Sequence, residues 1–246
     1  MSHPKSVDGR NRFDRRDFCK AFGVAATAGI VGSNLGSTLA YADITQEQRE
    51  KMSPDDIIQA MKAGNERFRA GKSQHRDLMT EVKATAKGQY PAAIVFSCVD
   101  SRAPVEMILD FGIGDVFSSR VAGNVADEDV MGSMEFACKV AGAKVVLVMG
   151  HTACGAIKGA IDAVQMGNLT ALLSKIRPAV EATKYTGERS SKNYAFVDAV
   201  AKTNVSMTIA NIRERSSVLH DLESKGTIKI VGAMYNLETG AVEFLG

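Results

Sequence analysis

Most of the side chains able to do chemistry lie in two short segments, Cys98-Val99-Asp100-Ser101-Arg102 and Gly150-His151-Thr152-Ala153-Cys154-Gly155. A thiolate from the first and a His-x-x-Cys pair from the second offer the sulfur and nitrogen donors that tetrahedral zinc prefers. Three such donors leave a fourth position open, the mark of a catalytic site; a structural zinc takes four cysteine or histidine ligands. Either segment alone carries little weight, because a buried cysteine is usually packing and a lone histidine is usually a hydrogen-bonded core residue. Their joint placement reverses those odds. Asp100 has two roles open to it: reaching the metal, or pairing with the planar guanidinium of Arg102 through two hydrogen bonds.

Both segments need elements that bring them together. Each follows a short apolar run rich in β-branched residues, Ala92 to Ser97 and Lys144 to Met149, and Asp115 to Val121 and Thr227 to Met234 resemble these more loosely. The runs alternate with helical stretches at about 103–110, 127–142, 153–166 and 192–215. That order predicts an α/β domain with a mostly parallel β-sheet and helices on both faces. Asn236 to Gly240 turns the chain, and Ala241 to Leu245 returns as an antiparallel edge strand. Ahead of the sheet, Ser53-Pro54-Asp55-Asp56 opens a helix that Gly71 ends, and a second helix runs from Asp77 to Lys87; together they make an N-terminal helical arm. Ligand sites in such sheets lie at the carboxyl ends of strands, where both segments fall.

The first 42 residues read differently. Arg15-Arg16-Asp17-Phe18-Cys19-Lys20 precedes a glycine- and alanine-rich apolar run from Ala21 to Gly32, and Ala40-Tyr41-Ala42 supplies a small-x-small cleavage site. This is a tripartite signal peptide at 1–42, ahead of a domain at 43–246. It resembles the twin-arginine signal, with Cys19 in place of the usual leucine, and so predicts export of a folded protein to the periplasm. The run is too short and glycine-rich to span a membrane, so no membrane contact is expected after cleavage. Three of the four cysteines follow residue 42, an odd number that makes a disulfide framework a poor explanation. Cys138, inside an apolar helical pattern, reads as a small core residue. Beyond residue 42 the chain has 24 Lys/Arg against 25 Asp/Glu, which gives no electrostatic reason to expect nucleic acid as a partner.

The two segments are similar to the signatures of β-class carbonic anhydrases, and Arg120-Val121-Ala122-Gly123-Asn124 lies between them as the family's Arg-x-Ala-x-Asn-like segment does. The resemblance runs from about Asn65 to the C-terminus. It implies one Zn2+ per chain held by Cys98, His151 and Cys154, and reversible hydration of carbon dioxide to bicarbonate and a proton by zinc-bound hydroxide. Asp100 and Arg102 would form the catalytic dyad, Asp100 also being able to take the fourth zinc position. It further implies that Gln89, Phe117, Phe136 and Gly155 face the substrate, Phe136 standing where some members carry tyrosine. Val95 and Ser97 replace the tryptophan and glycine of members inhibited by bicarbonate at a second site. The implied assembly is a homodimer or higher even oligomer. Two alternatives stay open: a same-fold zinc hydrolase of carbon disulfide or carbonyl sulfide, and a non-catalytic zinc-stabilised binding protein.

Overall fold

The computed structural model describes residues 44–245; the predicted signal peptide lies outside the described residues. Thr45 and Gln48 form a capping box that starts α1 (Gln46–Lys51). Ser53 caps α2 (Pro54–Arg69) with proline in its first turn and Asp55 and Asp56 at its positive end. Asp77 accepts the Met79 and Thr80 N–H groups to start α3 (Leu78–Thr85). After β1 (Ala93–Ser97) come α4 (Val105–Ile108), β2 (Val116–Arg120) and a 3-10 turn, Ala122–Asn124. The chain continues through α5 (Glu128–Glu135), a π turn (Phe136–Val140) and β3 (Val145–His151). Helices α6 (Gly155–Ile161), α7 (Gly167–Ser174), α8 (Arg177–Ala182), α9 (Tyr194–Arg215) and α10 (Ser217–Ser224) lead to β4 (Lys229–Tyr235) and β5 (Val242–Leu245).

The strands form one five-stranded sheet in the order β2-β1-β3-β4-β5, parallel except for β5, which runs antiparallel to β4. Alternate residues of β1 and β3 feed two cores. Ile94, Phe96, Val146 and Val148 pack beneath α5, α6, α9 and α10, whereas Val95, Leu147 and Met149 pack against Ile57 and Met61 of α2 and Val105 and Ile108 of α4. Helices thus cover both faces. The N-terminal helices divide their tasks: α2 belongs to one covering layer, while α3 keeps Leu78, Met79 and Val82 exposed.

The chain leaves β1 for β2 on one side and returns to β3 on the other, so the strand order switches direction between β1 and β3. A crevice opens at the carboxyl ends of strands at such a point. Both chemistry-bearing segments emerge there.

Four short helices, α1, α7, α8 and α10, were not foreseen, and the helix expected at 153–166 stops at Ile161. Ala163 adopts φ 51°, a left-handed conformation that ends a helix. Helix α7 buries only Leu173, so it carries little of the periodicity by which a helix is read from sequence.

Candidate metal centre

Cys98 follows β1 directly, His151 is the last residue of β3, and Cys154 ends the turn that leads into α6. All three are buried, and their donor atoms lie within 4.8 Å of one another. The two sulfurs are 4.0 Å apart. The His151 ring is oriented by its Nδ1, which donates to the Thr152 carbonyl at 2.9 Å and leaves the Nε2 lone pair facing the sulfurs. That Nε2 is buried without a hydrogen-bond partner. A buried, unpartnered nitrogen beside two thiols is costly unless a cation completes the set.

The thiols show the same need. The neighbouring Cys154, together with the His151 ring and the Gly123 and Asp100 N–H groups, lowers Cys98 to about 4 against the opposing effect of burial. Cys154 is driven up, first by Cys98 and then by burial. Two sulfurs this close ionise together only with a positive charge between them. Zn2+ supplies that charge, and two sulfurs with one imidazole nitrogen are the donors it favours. The set fits the ion.

Beside this group, Arg102 donates to Asp100 twice, Nε to Oδ1 at 2.9 Å and Nη2 to Oδ2 at 2.7 Å, and its backbone N–H adds a third bond at 3.0 Å. This pairing holds Asp100 well below the usual carboxylate range. Oδ2 remains 3.8 Å from His151 Nε2, so the carboxylate stands beside the metal group while engaged by the guanidinium. Arg120 Nε donates to the Cys98 carbonyl at 2.9 Å, and its Nη2 reaches the Asp100 carbonyl, which ties the loop to the end of β2.

The other substrate-facing candidates divide. Phe117 packs on the core cluster that contains Cys98 and Cys154, and its ring meets that of Phe136 edge-on at 6.0 Å. Gly155 opens α6 on an exposed surface with free space around its α-carbon. Gln89 is exposed in the segment entering β1, at the opposite end of that strand from Cys98, so one chain does not bring it to the metal group. Three residues around the site were missed, all on α9: Asp198, bonded to the loop that carries Cys154, and Asn204 and Thr208, bonded to the turn after β2 that meets Cys98. Their signal was weak but present, since Asn204 and Thr208 are polar residues within the helix's otherwise apolar buried stripe.

A parallel sheet that presents two thiols and an imidazole at its switch point, with a carboxylate–guanidinium pair alongside, defines a catalytic zinc protein of α/β type. The carbonic anhydrase family profile matches residues 93–242. The chain is 36% identical over 194 residues to carbonic anhydrase 2 of Mycobacterium tuberculosis, covering 76% of this chain and 91% of that protein. It is 34% identical over 197 residues to the carbonic anhydrase of Mycolicibacterium smegmatis, covering 78% and 93%. Among solved structures, the β-carbonic anhydrase CafA of Aspergillus fumigatus is 27% identical with a TM-score of 0.59, covering 77% of this chain and 91% of that chain. A tetrameric β-carbonic anhydrase of Sordaria macrospora, 22% identical with a TM-score of 0.60 over 78% and 98% of the two chains, shares the fold. The chain belongs to the carbonic anhydrase family, in its β class, and its activity is the zinc-dependent hydration of carbon dioxide. Both curated relatives are named carbonic anhydrases, which favours hydration over the hydrolase and non-catalytic alternatives.

Proposed function

We propose that this enzyme hydrates carbon dioxide outside the cytoplasm, as a homodimer or higher even oligomer, with Cys98, His151 and Cys154 as its zinc ligands and Asp100–Arg102 as its catalytic pair. The carrying observation is the carboxylate of Asp100, 3.8 Å from His151 Nε2 and gripped by Arg102 through two side-chain hydrogen bonds. Zinc, when bound, supplies the Lewis acid that makes water nucleophilic near neutral pH. Asp100 then does the orienting. Because Arg102 keeps it ionised, it accepts the nucleophile's hydrogen and fixes the direction of attack. Phe117 and Phe136 offer carbon dioxide an apolar wall, and Gly155 opens α6 on the exposed side beside Cys154. Gln89, exposed at the far end of β1 from its own metal group, would meet substrate only in a second copy's site, which is the role the oligomeric reading gives it.

The export reading rests on the paired arginines, apolar run and Ala40-Tyr41-Ala42 in their proper order. Replacing Arg15 and Arg16 by Lys is expected to strand the precursor in the cytoplasm on fractionation; unchanged appearance of mature protein outside it would refute the twin-arginine route.

Stopped-flow hydration across pH tests the catalytic pair. The wild-type rate is expected to fall reversibly in mildly acidic buffer with zinc retained, as Asp100, still ionised, leaves Arg102 and blocks the open position. Arg102→Ala should lose about 100-fold or more at every pH, because nothing then draws Asp100 away. Asp100→Asn should lower the maximum and flatten the acid-side loss. Normal turnover in Arg102→Ala, or a wild-type rate indifferent to pH, would remove the pair from the mechanism.

A further inference from the structure

Two segments hold the sulfur ligands, the loop that carries Cys154 and the turn after β2 that donates to Cys98, and one helix bonds to both. In the loop after β3, Ala153 precedes Cys154 with φ 54°, a left-handed conformation that an alanine adopts only when its surroundings impose it. Its N–H donates to Asp198 Oδ1 at 2.8 Å. Thr152 anchors the same turn from the other side, its N–H donating to the Tyr235 carbonyl at 2.9 Å and its Oγ1 accepting the Leu237 N–H at 3.0 Å. In the turn after β2, Gly123 donates its N–H to Cys98 Sγ at 3.2 Å. The Gly123 carbonyl accepts from Nδ2 of the buried Asn204 at 2.8 Å, and the Thr208 hydroxyl donates to the next carbonyl, that of Asn124, at 3.3 Å. Gly123 is itself confined, with φ 66° and room for no β-carbon, since one would stand 2.6 Å from Ile176 Cδ1.

Asp198 and Asn204 share α9, a 22-residue helix whose Val197, Val200 and Val205 are fully buried in the core. Six residues of helix span about 9 Å, a fixed length that no loop of similar size would keep. Neither residue suits its place for helix stability alone: aspartate and asparagine are poor interior helix formers, and a buried amide costs free energy unless its bonds are made.

We propose that Asp198 and Asn204 are positioning residues for zinc, Asp198 setting the turn that delivers Cys154 and Asn204 aiming the Gly123 N–H at Cys98. The helix thereby fixes the separation of two ligands that lie 56 residues apart in the chain. The proposal rests on the assignment of Cys98, His151 and Cys154 as ligands.

The test compares Asp198→Ala, Asp198→Asn, Asn204→Leu and Thr203→Val in the purified protein. Zinc affinity is measured by chelator competition, and ligand geometry by the visible spectrum of the cobalt-substituted protein. Loss of groups behind metal ligands typically weakens binding 10- to 100-fold, so about that loss, with altered cobalt bands, is expected for Asp198→Ala and Asn204→Leu. Asp198→Asn keeps an oxygen for the Ala153 N–H and should stay near wild type. Thr203 also lies on α9 but shares its 2.9 Å bond with Thr183, away from both loops. Thr203→Val should therefore lower the thermal midpoint while leaving affinity and bands unchanged. Wild-type affinity and bands in Asp198→Ala and Asn204→Leu would overturn the proposal, as would an equal loss in Thr203→Val. Should Asn204→Leu fail to fold, the contrast between Asp198→Ala and Asp198→Asn still decides. Full zinc retention by Cys98→Ser and Cys154→Ser would instead bring down the ligand assignment itself, a separate result.

Discussion

At the amino-terminal edge of the sheet, Arg76 lies 3.2 Å from Glu81 and 3.9 Å from Asp115, and Arg67 lies 2.5 Å from Asp110. Arg76, Glu81 and Asp115 are 9%, 5% and 1% exposed, yet backbone N–H groups of Gly112 and Ile113 complete the carboxylates' bonding. At the carboxyl edge, the arginines are otherwise engaged: Arg102 binds the Asp100 carboxylate, and Arg120 binds the Cys98 and Asp100 carbonyls. The sulfurs receive the Gly123 N–H and one another. Both edges bury groups that prefer water. One supplies its counter-charge from the chain and is thereby structural; the other leaves that charge to an ion and is thereby a site.

The largest expected effect breaks the carboxyl edge. Cys98→Ser, His151→Ala and Cys154→Ser should each lose most bound zinc by elemental analysis, and hydration should fall by orders of magnitude with it. Zinc held at one per chain in all three would put the metal elsewhere. The amino-terminal edge should respond in stability instead. Arg76→Met leaves Glu81 and Asp115 buried without that cation, a change that costs about 3–5 kcal/mol in comparable pairs. Urea unfolding should show this loss, while the fraction that stays folded keeps its zinc. A variant that loses zinc with its unfolding midpoint unmoved would show that the two edges are not independent. The smallest effect is chemical. Burial pushes the Cys138 thiol up to about 12, whereas its neighbours lower Cys98 to about 4. In zinc-free protein at neutral pH, iodoacetamide should therefore label Cys98 well before Cys138, which should react only on unfolding. Equal labelling would mean that the metal edge is not electrostatically distinct from the core.

The sequence by itself determined the ligand types, the alternation of strands and helices, and the antiparallel return of β5. Each is a local property: donor chemistry belongs to single residues, and a buried strand announces itself through a short β-branched run. Cys138 was legible as core for the same reason: it is buried, and burial pushes its thiol up to about 12. Ser53 and Asp77 announced their helices because capping is a bond between residues two or three apart. Only the tertiary structure showed that Gln89 stays at the opposite end of β1 from Cys98, since pairing on both sides holds the strand extended and keeps its ends apart. Only it showed that Asp198 reaches the Cys154 loop and Asn204 the turn that donates to Cys98. Asp198 lies 45 residues from Ala153 and Asn204 lies 81 from Gly123, separations over which no periodicity or cap extends. The ions of the amino-terminal edge also depend on folding, since Arg76 donates to the carbonyl of the buried Asp110, 34 residues away. Local interactions write themselves into adjacent residues; the partners of a buried polar group are chosen by packing, and packing brings together what the sequence keeps apart.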